Sequence, residues 1–172
     1  MSSDVIRDVR ELIKAHGVPE REVYLDIENS GLIFPEALEA MVEAYKGLKF
    51  AHPSITHRAG WESYEALYEA TGTIAEFIGA KVGEIAYTHS GTEANNLAIK
   101  GAALGNRSKR RKIVVSKIEH LSVIFPAENL KQHGYKLVEV PVDEEGFVNE
   151  EAFEDLIDSD TFLVSVAAVN HE

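Results

Sequence analysis

The residues best suited to chemistry lie at positions 87–96, where a short strand-like run meets a small-residue turn and the start of a helix. Such a turn leaves free backbone N–H groups and the positive end of a helix facing one place, which favours an anion. Gly91 lets the backbone approach a ligand, and the Thr92 hydroxyl can add a hydrogen bond. The turn matches neither the Walker pattern nor G-x-G-x-x-G. Spacing alone favours the simpler interpretation, an ordinary turn with Thr92 as the helix N-cap.

Polar residues also follow two further strand-like runs. The run at 113–115 leads to His120, and the run at 162–169 leads to Asn170 and His171. In an open α/β sheet, ligands bind at the carboxyl ends of the strands. We therefore expect one site at three strand ends, formed by Gly91, Thr92, His120, Asn170 and His171.

Strands and helices alternate along the sequence, and this alternation would position the site. The spacing of apolar residues, with proline and glycine as boundary signals, predicts helices at 3–16, 35–46, 61–79, 121–133 and 149–158. Strands are predicted at 84–88, 113–117, 135–141 and 162–168. This order implies a parallel sheet covered on both faces. Four large apolar residues of the helix at 61–79 are predicted to pack in the core rather than form an aromatic platform: Trp61, Tyr64, Leu67 and Tyr68.

Composition excludes several classes of protein. The 172 residues are 45% hydrophobic and 27% charged, which indicates a folded domain rather than a disordered chain. No apolar run approaches ~18 residues, and the N-terminus does not resemble a signal peptide, so we expect a cytoplasmic protein. The formal charge of -12 argues against nucleic acid as a partner, and the absence of cysteine excludes thiolate metal sites. His52 and His57 are interpreted as loop residues, and no metal site is predicted.

Four short motifs follow one another along the chain. They are His57-Arg58-Ala59-Gly60-Trp61, Thr92-Glu93 with 96–101, Glu119-His120, and Val169-Asn170-His171-Glu172. In this order and spacing they resemble the N-terminal half of cysteine desulfurases, in the class V aminotransferase group of pyridoxal-phosphate (PLP) enzymes. Each motif is weak alone, but together they are specific, and the resemblance runs from Val23 to Glu172.

The resemblance implies an α/β fold with part of a mainly parallel sheet and flanking helices, an incomplete PLP-dependent transferase-like large domain. Residues 1–60 would form an N-terminal helix, an extended segment and a loop. Residues 61–172 would form the N-terminal part of the PLP-binding large domain. In the family's sheet, the strand at 84–88 is separated from the other three by strands of the missing half. That strand would therefore lack a hydrogen-bonded neighbour in this chain.

The resemblance also implies roles for the site residues, with pyridoxal 5'-phosphate as cofactor. Gly91 and Thr92 would hold the phosphate, and His120 would stack on the pyridine ring and take part in proton transfer. The residue before the final glutamate bonds the ring hydroxyl, and in the commonest form of the motif it is asparagine. By position that residue is His171 here, although Asn170 is the alternative.

Family members are more than twice as long as this chain. Their remaining part carries the Schiff-base lysine, the aspartate that pairs with the pyridine nitrogen, the catalytic cysteine loop and the substrate-binding arginine. Lys100 and Lys117 do not occupy the Schiff-base position.

We therefore expect a subunit of a split, hetero-oligomeric cysteine desulfurase, which removes sulfur from L-cysteine and leaves alanine. A second polypeptide would supply the C-terminal half, unless this chain is a fragment of a longer one. The alternatives are a subunit of a class V aminotransferase or other PLP lyase, and a non-catalytic binding or scaffold remnant of the fold.

Overall fold

The computed structural model describes residues 11, 14–17, 21, 23–27, 30–47, 49 and 51–170. They form two compact units, one up to Ala51 and the other from His52. The helices are α1 (Pro35–Lys46), α2 (Arg58–Ile78), α3 (Gly91–Gly105), α4 (Leu121–Asn129) and α5 (Glu150–Leu156). The strands are β1 (Lys112–Ser116), β2 (Lys136–Val140) and β3 (Thr161–Ser165).

The first unit contains α1, whose ends are set by the two residues predicted to set them. Pro35 opens the helix, where its fixed φ is suitable and its missing N–H is not needed. The Gly47 N–H closes the helix on the Glu43 carbonyl at 3.1 Å. Of the helix predicted at 3–16, residue 11 and residues 14–16 are helical, and the others lie outside the described residues.

In the second unit, α2 begins three residues before its predicted start because His57 caps it. The His57 Nδ1 atom accepts a hydrogen bond from the Gly60 N–H at 2.9 Å. The helix ends at Gly79, whose φ of 69° is a left-handed conformation that glycine adopts without steric cost. The buried face of α2 carries small residues, namely Gly60, Ser63, Thr71 and Ala75.

The prediction that the aromatic face of α2 packs in the core is wrong for this chain. Its four residues are between 44% and 57% exposed: Trp61, Tyr64, Leu67 and Tyr68. The helix instead buries its small-residue face, and the described part of the second unit leaves the aromatic face uncovered. Periodicity identified an apolar face, but it did not show that this chain supplies the cover for it.

The predicted parallel sheet is confirmed, with three strands in the order β2-β1-β3. β1 pairs in parallel with both neighbours, and Ile113 lies opposite Leu137 on one side and Leu163 on the other. All five residues of this central strand are buried. Its β-branched run therefore fills the middle of the sheet, as expected for a strand covered on both faces.

The strand predicted at 84–88 does not form. A 3₁₀ turn occupies Val82–Glu84, and the residues after it have no sheet partner within the described chain. Ile85 keeps extended backbone angles, with φ of -94° and ψ of 128°. The Tyr87 and Thr71 hydroxyls lie 2.8 Å apart and link the segment to α2. The sequence favours extended backbone here, but a strand also needs a neighbour to pair with.

Helices α3 and α4 pack against the sheet and build the core. Buried residues of this core come from both helices and from β1, and include Ile99, Ala103, Ile113, Val115, Val123 and Ala127. The helix predicted at 121–133 is confirmed, with α4 continuing into a 3₁₀ turn that ends at Gly134, φ 82°. Within the described chain, no helix is both long enough and apolar enough to cross a membrane.

A partly buried ion pair joins the start of β1 to the loop before β3. The Lys112 Nζ atom lies 2.6 Å from Asp158 Oδ2 and donates to the Leu156 carbonyl at 2.8 Å. The hydrogen bond from Lys112 is the largest influence on the pKa of Asp158 and lowers it below 3.8, against a smaller opposing effect of burial. Because the pKa of Asp158 is lower in the folded state, the ion pair stabilises the fold fully above the unfolded-state pKa. This stabilisation is lost as the pH falls through the folded-state pKa.

We therefore expect Asp158→Asn to lower the urea midpoint of unfolding near neutral pH. The difference from the wild type should narrow as pH falls through the folded-state pKa of Asp158, because the wild-type carboxyl then also becomes neutral. Asp155→Asn, which changes a nearby exposed carboxylate of α5, is the control and should show no such convergence. If the difference in urea midpoint between wild type and Asp158→Asn stayed constant across this pH range, the ionised Asp158 carboxylate would not be the source of the stabilisation.

Candidate functional site

The N-terminus of α3 is the first component of the site. Ser90 caps the helix, because its Oγ atom accepts a hydrogen bond from the Glu93 N–H at 3.1 Å. The Glu93 carboxylate in turn accepts from the His89 N–H at 2.8 Å. The interpretation of Thr92 as the N-cap is therefore wrong. Among the described residues, the N–H groups of Gly91 and Thr92 have no protein acceptor.

This helix end is chemically suited to an anion. Two unpaired N–H donors and the positive end of a fifteen-residue helix face the same region. Thr92 is exposed, and no atom beyond the neighbouring backbone lies within 4 Å of the place where a Cβ of Gly91 would be. The space beside the donors is therefore open to a phosphate-sized group.

His120 is the second component and is held at the start of α4. Its Nδ1 atom accepts from the Ser122 N–H at 3.0 Å and lies 2.7 Å from the Ser122 Oγ atom. The Asn95 Nδ2 atom of α3 donates to the same Ser122 hydroxyl at 2.8 Å. The ring is thus tied both to its own helix and to α3.

The third component is the segment after β3, which contacts the loop after β1. The Asn170 Nδ2 atom donates to the Ile118 carbonyl at 2.7 Å. The Glu119 Oε1 atom accepts from the Ser116 hydroxyl at 2.9 Å and from the Ala167 N–H at 2.5 Å. Asn170 therefore contacts Ile118, two positions before His120. His171 lies outside the described residues.

A cavity of about 440 Å³ connects the first two components. Thr92 and His120 both line it, and Lys100 and Asn96 add a cation and an amide from α3. Leu121 and Phe125 form an apolar part of the wall. The volume is within the usual range for small-molecule sites, about 300–1,000 Å³. The structure thus brings Thr92 and His120 together, while Asn170 is placed against the adjacent loop and does not line this cavity.

Three residues that support the site were not identified as site residues from the sequence. Glu119 and Ala167 are 48 positions apart, and no local pattern indicates that the Glu119 carboxylate would meet the Ala167 N–H. Ser122 and Asn95 are separated by 27 positions, and each alone resembles an ordinary helix residue. The available signal was only the nearness of Ser122 to His120 after a strand end.

Comparison with known proteins gives consistent results. The family described as Aminotransferase class-V matches residues 23–172. The cysteine desulfurase IscS of Dictyoglomus turgidum is 41% identical over 153 residues, which are 89% of this chain and 39% of that protein. Cysteine desulfurase IscS 1 of Archaeoglobus fulgidus is 40% identical over 149 residues, which are 87% of this chain and 39% of that protein.

Solved structures show the same relationship. A NifS-like protein superposes with a TM-score of 0.76 and 34% identity, over 81% of this chain and 38% of that one. The apo cysteine desulfurase of Thermococcus onnurineus NA1 gives a TM-score of 0.75 and 29% identity, over 96% of this chain and 40% of that one. This chain therefore spans about two fifths of the length of these relatives. The predicted fold class is confirmed, and the chain belongs to the class-V aminotransferase family.

Proposed function

We propose that this chain is one part of a PLP-dependent cysteine desulfurase and that a second polypeptide completes the enzyme. The observation that carries the proposal is the cavity on which Thr92 of the α3 N-terminus and His120 meet. Relatives named as cysteine desulfurases support this choice of reaction over others in the family. The substrate would be L-cysteine and the products alanine and sulfur.

The residues at the α3 N-terminus fit the phosphate of the cofactor. The N–H groups of Gly91 and Thr92 and the Thr92 hydroxyl would donate to its oxygens, and the helix end would favour its charge. Lys100 lines the same cavity and adds a positive charge. These contacts bind and orient the cofactor, but they form no covalent bond to it.

His120 would lie against the face of the pyridine ring. Its orientation is fixed before any ligand arrives, because Ser122 holds the Nδ1 side of the imidazole. Asn170, or His171 beyond the described residues, would approach the ring hydroxyl from the segment after β3. When bound, PLP supplies an electron sink for bond cleavage in the amino-acid substrate.

The need for a completing polypeptide is supported by what this chain leaves uncovered. In the part of the chain that the structure describes, β2 and β3 are the edges of a three-stranded sheet. Ile85, directly after Val82–Glu84, has extended backbone angles, and no described strand pairs with its segment. The aromatic face of α2 is exposed. A protein with these surfaces would gain stability from further strands and from an apolar partner. We accordingly propose a hetero-oligomer, in which residues 61–172 form part of the cofactor-binding large domain.

Reductive labelling tests the assignment. The chain, isolated with any polypeptide that copurifies, would be treated with PLP and borohydride and then digested for peptide mapping. We expect the cofactor to be attached to a lysine of the second polypeptide, since the phosphate cradle and His120 of this chain make no covalent link. An adduct on Lys100 or Lys117 would contradict the division of roles.

The same preparation distinguishes the reaction classes. If the protein is a desulfurase, L-cysteine should yield alanine and one sulfur atom at the zero oxidation level, which added dithiothreitol reduces to sulfide for measurement. Conversion of a keto acid to an amino acid without sulfide would favour a class V aminotransferase, and another elimination reaction would favour a different PLP lyase. A colourless, well-folded monomer that retains no cofactor and attracts no polypeptide would favour the binding or scaffold alternative.

A further inference from the structure

We propose that Ser122 and Asn95 are positioning residues that fix the ring proton of His120 on its Nε2 atom. The hydrogen-bond geometry of the chain carries this assignment, and only its consequence for turnover rests on the proposed function.

The amide of Asn95 sets the direction of the hydrogen bond to Ser122. Asn95 Nδ2 can only donate, so the Ser122 Oγ atom, at 2.8 Å, must accept from it. The single hydroxyl proton of Ser122 is then available for His120 Nδ1, which lies 2.7 Å away. Ser122 is 6% exposed, so little water competes for that proton.

His120 Nδ1 faces a second donor from the same residue. The Ser122 N–H also donates to Nδ1, at 3.0 Å. A nitrogen that accepts from two donors cannot carry a proton itself, and the neutral imidazole has only one N–H. That proton therefore resides on Nε2, which becomes the atom through which the ring donates a proton to a neighbouring group.

The Ser122 hydroxyl does more than helix capping requires. Capping α4 requires only the backbone N–H of Ser122, and it would be satisfied without the hydroxyl. The hydroxyl adds a connection to Asn95, which lies about one helical turn after Thr92 in α3. The helix that forms the phosphate cradle therefore also strengthens the preference of His120 for the Nε2–H tautomer, because two donors rather than one face Nδ1. In the proposed enzyme, one rigid unit would set both the position of the cofactor and the proton-bearing atom beside it.

Nitrogen NMR of the imidazole tests the proposal directly. The full chain, with any copurifying polypeptide, would be labelled with ¹⁵N-histidine and measured as a sediment by magic-angle spinning, without added cofactor. The His120 signals would be identified as those missing from a His120→Gln sample. At about pH 8.5, where an ordinary histidine is neutral, we expect an unprotonated Nδ1 and a protonated Nε2. A protonated Nδ1 in the wild type would overturn the proposal.

Substitutions then show whether the side chains act as proposed. Ser122→Ala leaves only the backbone N–H donating to Nδ1, so the Nδ1 resonance should shift and a minor fraction of the Nδ1–H tautomer should appear. Ser122→Thr should restore the wild-type spectrum. Asn95→Asp should reproduce the alanine result with Ser122 in place, because a carboxylate would accept the hydroxyl proton. The control is Ser63→Ala, which removes another buried serine hydroxyl, in α2, and should leave His120 unchanged. Wild-type-like spectra for both Ser122→Ala and Asn95→Asp would contradict the assignment. Because no cofactor is present, this result is independent of the borohydride experiment.

Discussion

Replacement of His120 by alanine is expected to shift the absorption band of bound PLP and to lower turnover of the complete enzyme by at least ~100-fold. The substitution removes the ring proposed to lie against the cofactor together with its Nε2 proton. It also removes the cap of α4, which should cost about 1 kcal/mol of stability. Absorption spectra and sulfide release, measured on the same preparation, would record both effects.

Two further variants separate the chemical role of His120 from its structural one. His120→Asn keeps a good N-cap acceptor while it removes the imidazole, so stability should recover but the spectrum and turnover should not. His133→Ala removes an exposed histidine of the 3₁₀ turn after α4 and should leave both nearly unchanged. Equal effects of His120→Ala and His133→Ala would return His120 to the status of an ordinary residue between strand and helix.

The second large effect is expected at Gly60, in the first turn of α2. A Cβ at this position would lie 2.3 Å from the Ser54 carbonyl oxygen and 2.8 Å from the His57 ring. Since the first contact is with backbone, a side-chain rotation cannot relieve it. We expect Gly60→Ala to lower the free energy of unfolding by about 3 kcal/mol or more, because the loop at 54–57 must move away from the helix.

The same helix provides a control of opposite sign. Gly72 lies in the middle of α2, and a Cβ there would meet no atom within 4 Å. Gly72→Ala should therefore stabilise the protein by up to about 1 kcal/mol, through the higher helix propensity of alanine. Urea unfolding of both variants measures the contrast. Equal changes at the two positions would contradict the close approach of Ser54 to the helix.

Local signals predicted much of the fold. Pro35 and Gly47 set the ends of α1, and Gly134 ends the turn after α4, because proline and glycine have strong conformational preferences of their own. The β-branched run at 113–115 marked the central strand correctly, since such side chains suit a pleated, buried surface.

The wrong predictions concern features that depend on residues distant in sequence, or on which of two neighbouring residues takes a role that both could fill. Residues 84–88 have a strand-like composition but no neighbour to pair with in the described chain. Ser90 and Thr92 are both capable caps, and composition alone did not show which would take the role. The exposure of Trp61 depends on what covers α2. Thr92 and His120 were expected to meet because strand ends meet, but the Ser122–Asn95 connection required coordinates.

The order of the strands has a consequence for how the chain folds during synthesis. β1 and β2 are joined by α4 and its 3₁₀ turn, so their pairing closes a shorter loop than the pairing of β1 with β3. The β1-α4-β2 unit can therefore assemble first, and β3 is added later on the opposite side of β1. The outer edge of β3 is then the last hydrogen-bonding surface to form. An uncovered edge of this kind can pair with an edge of another chain, so we expect the newly made chain to be prone to aggregation.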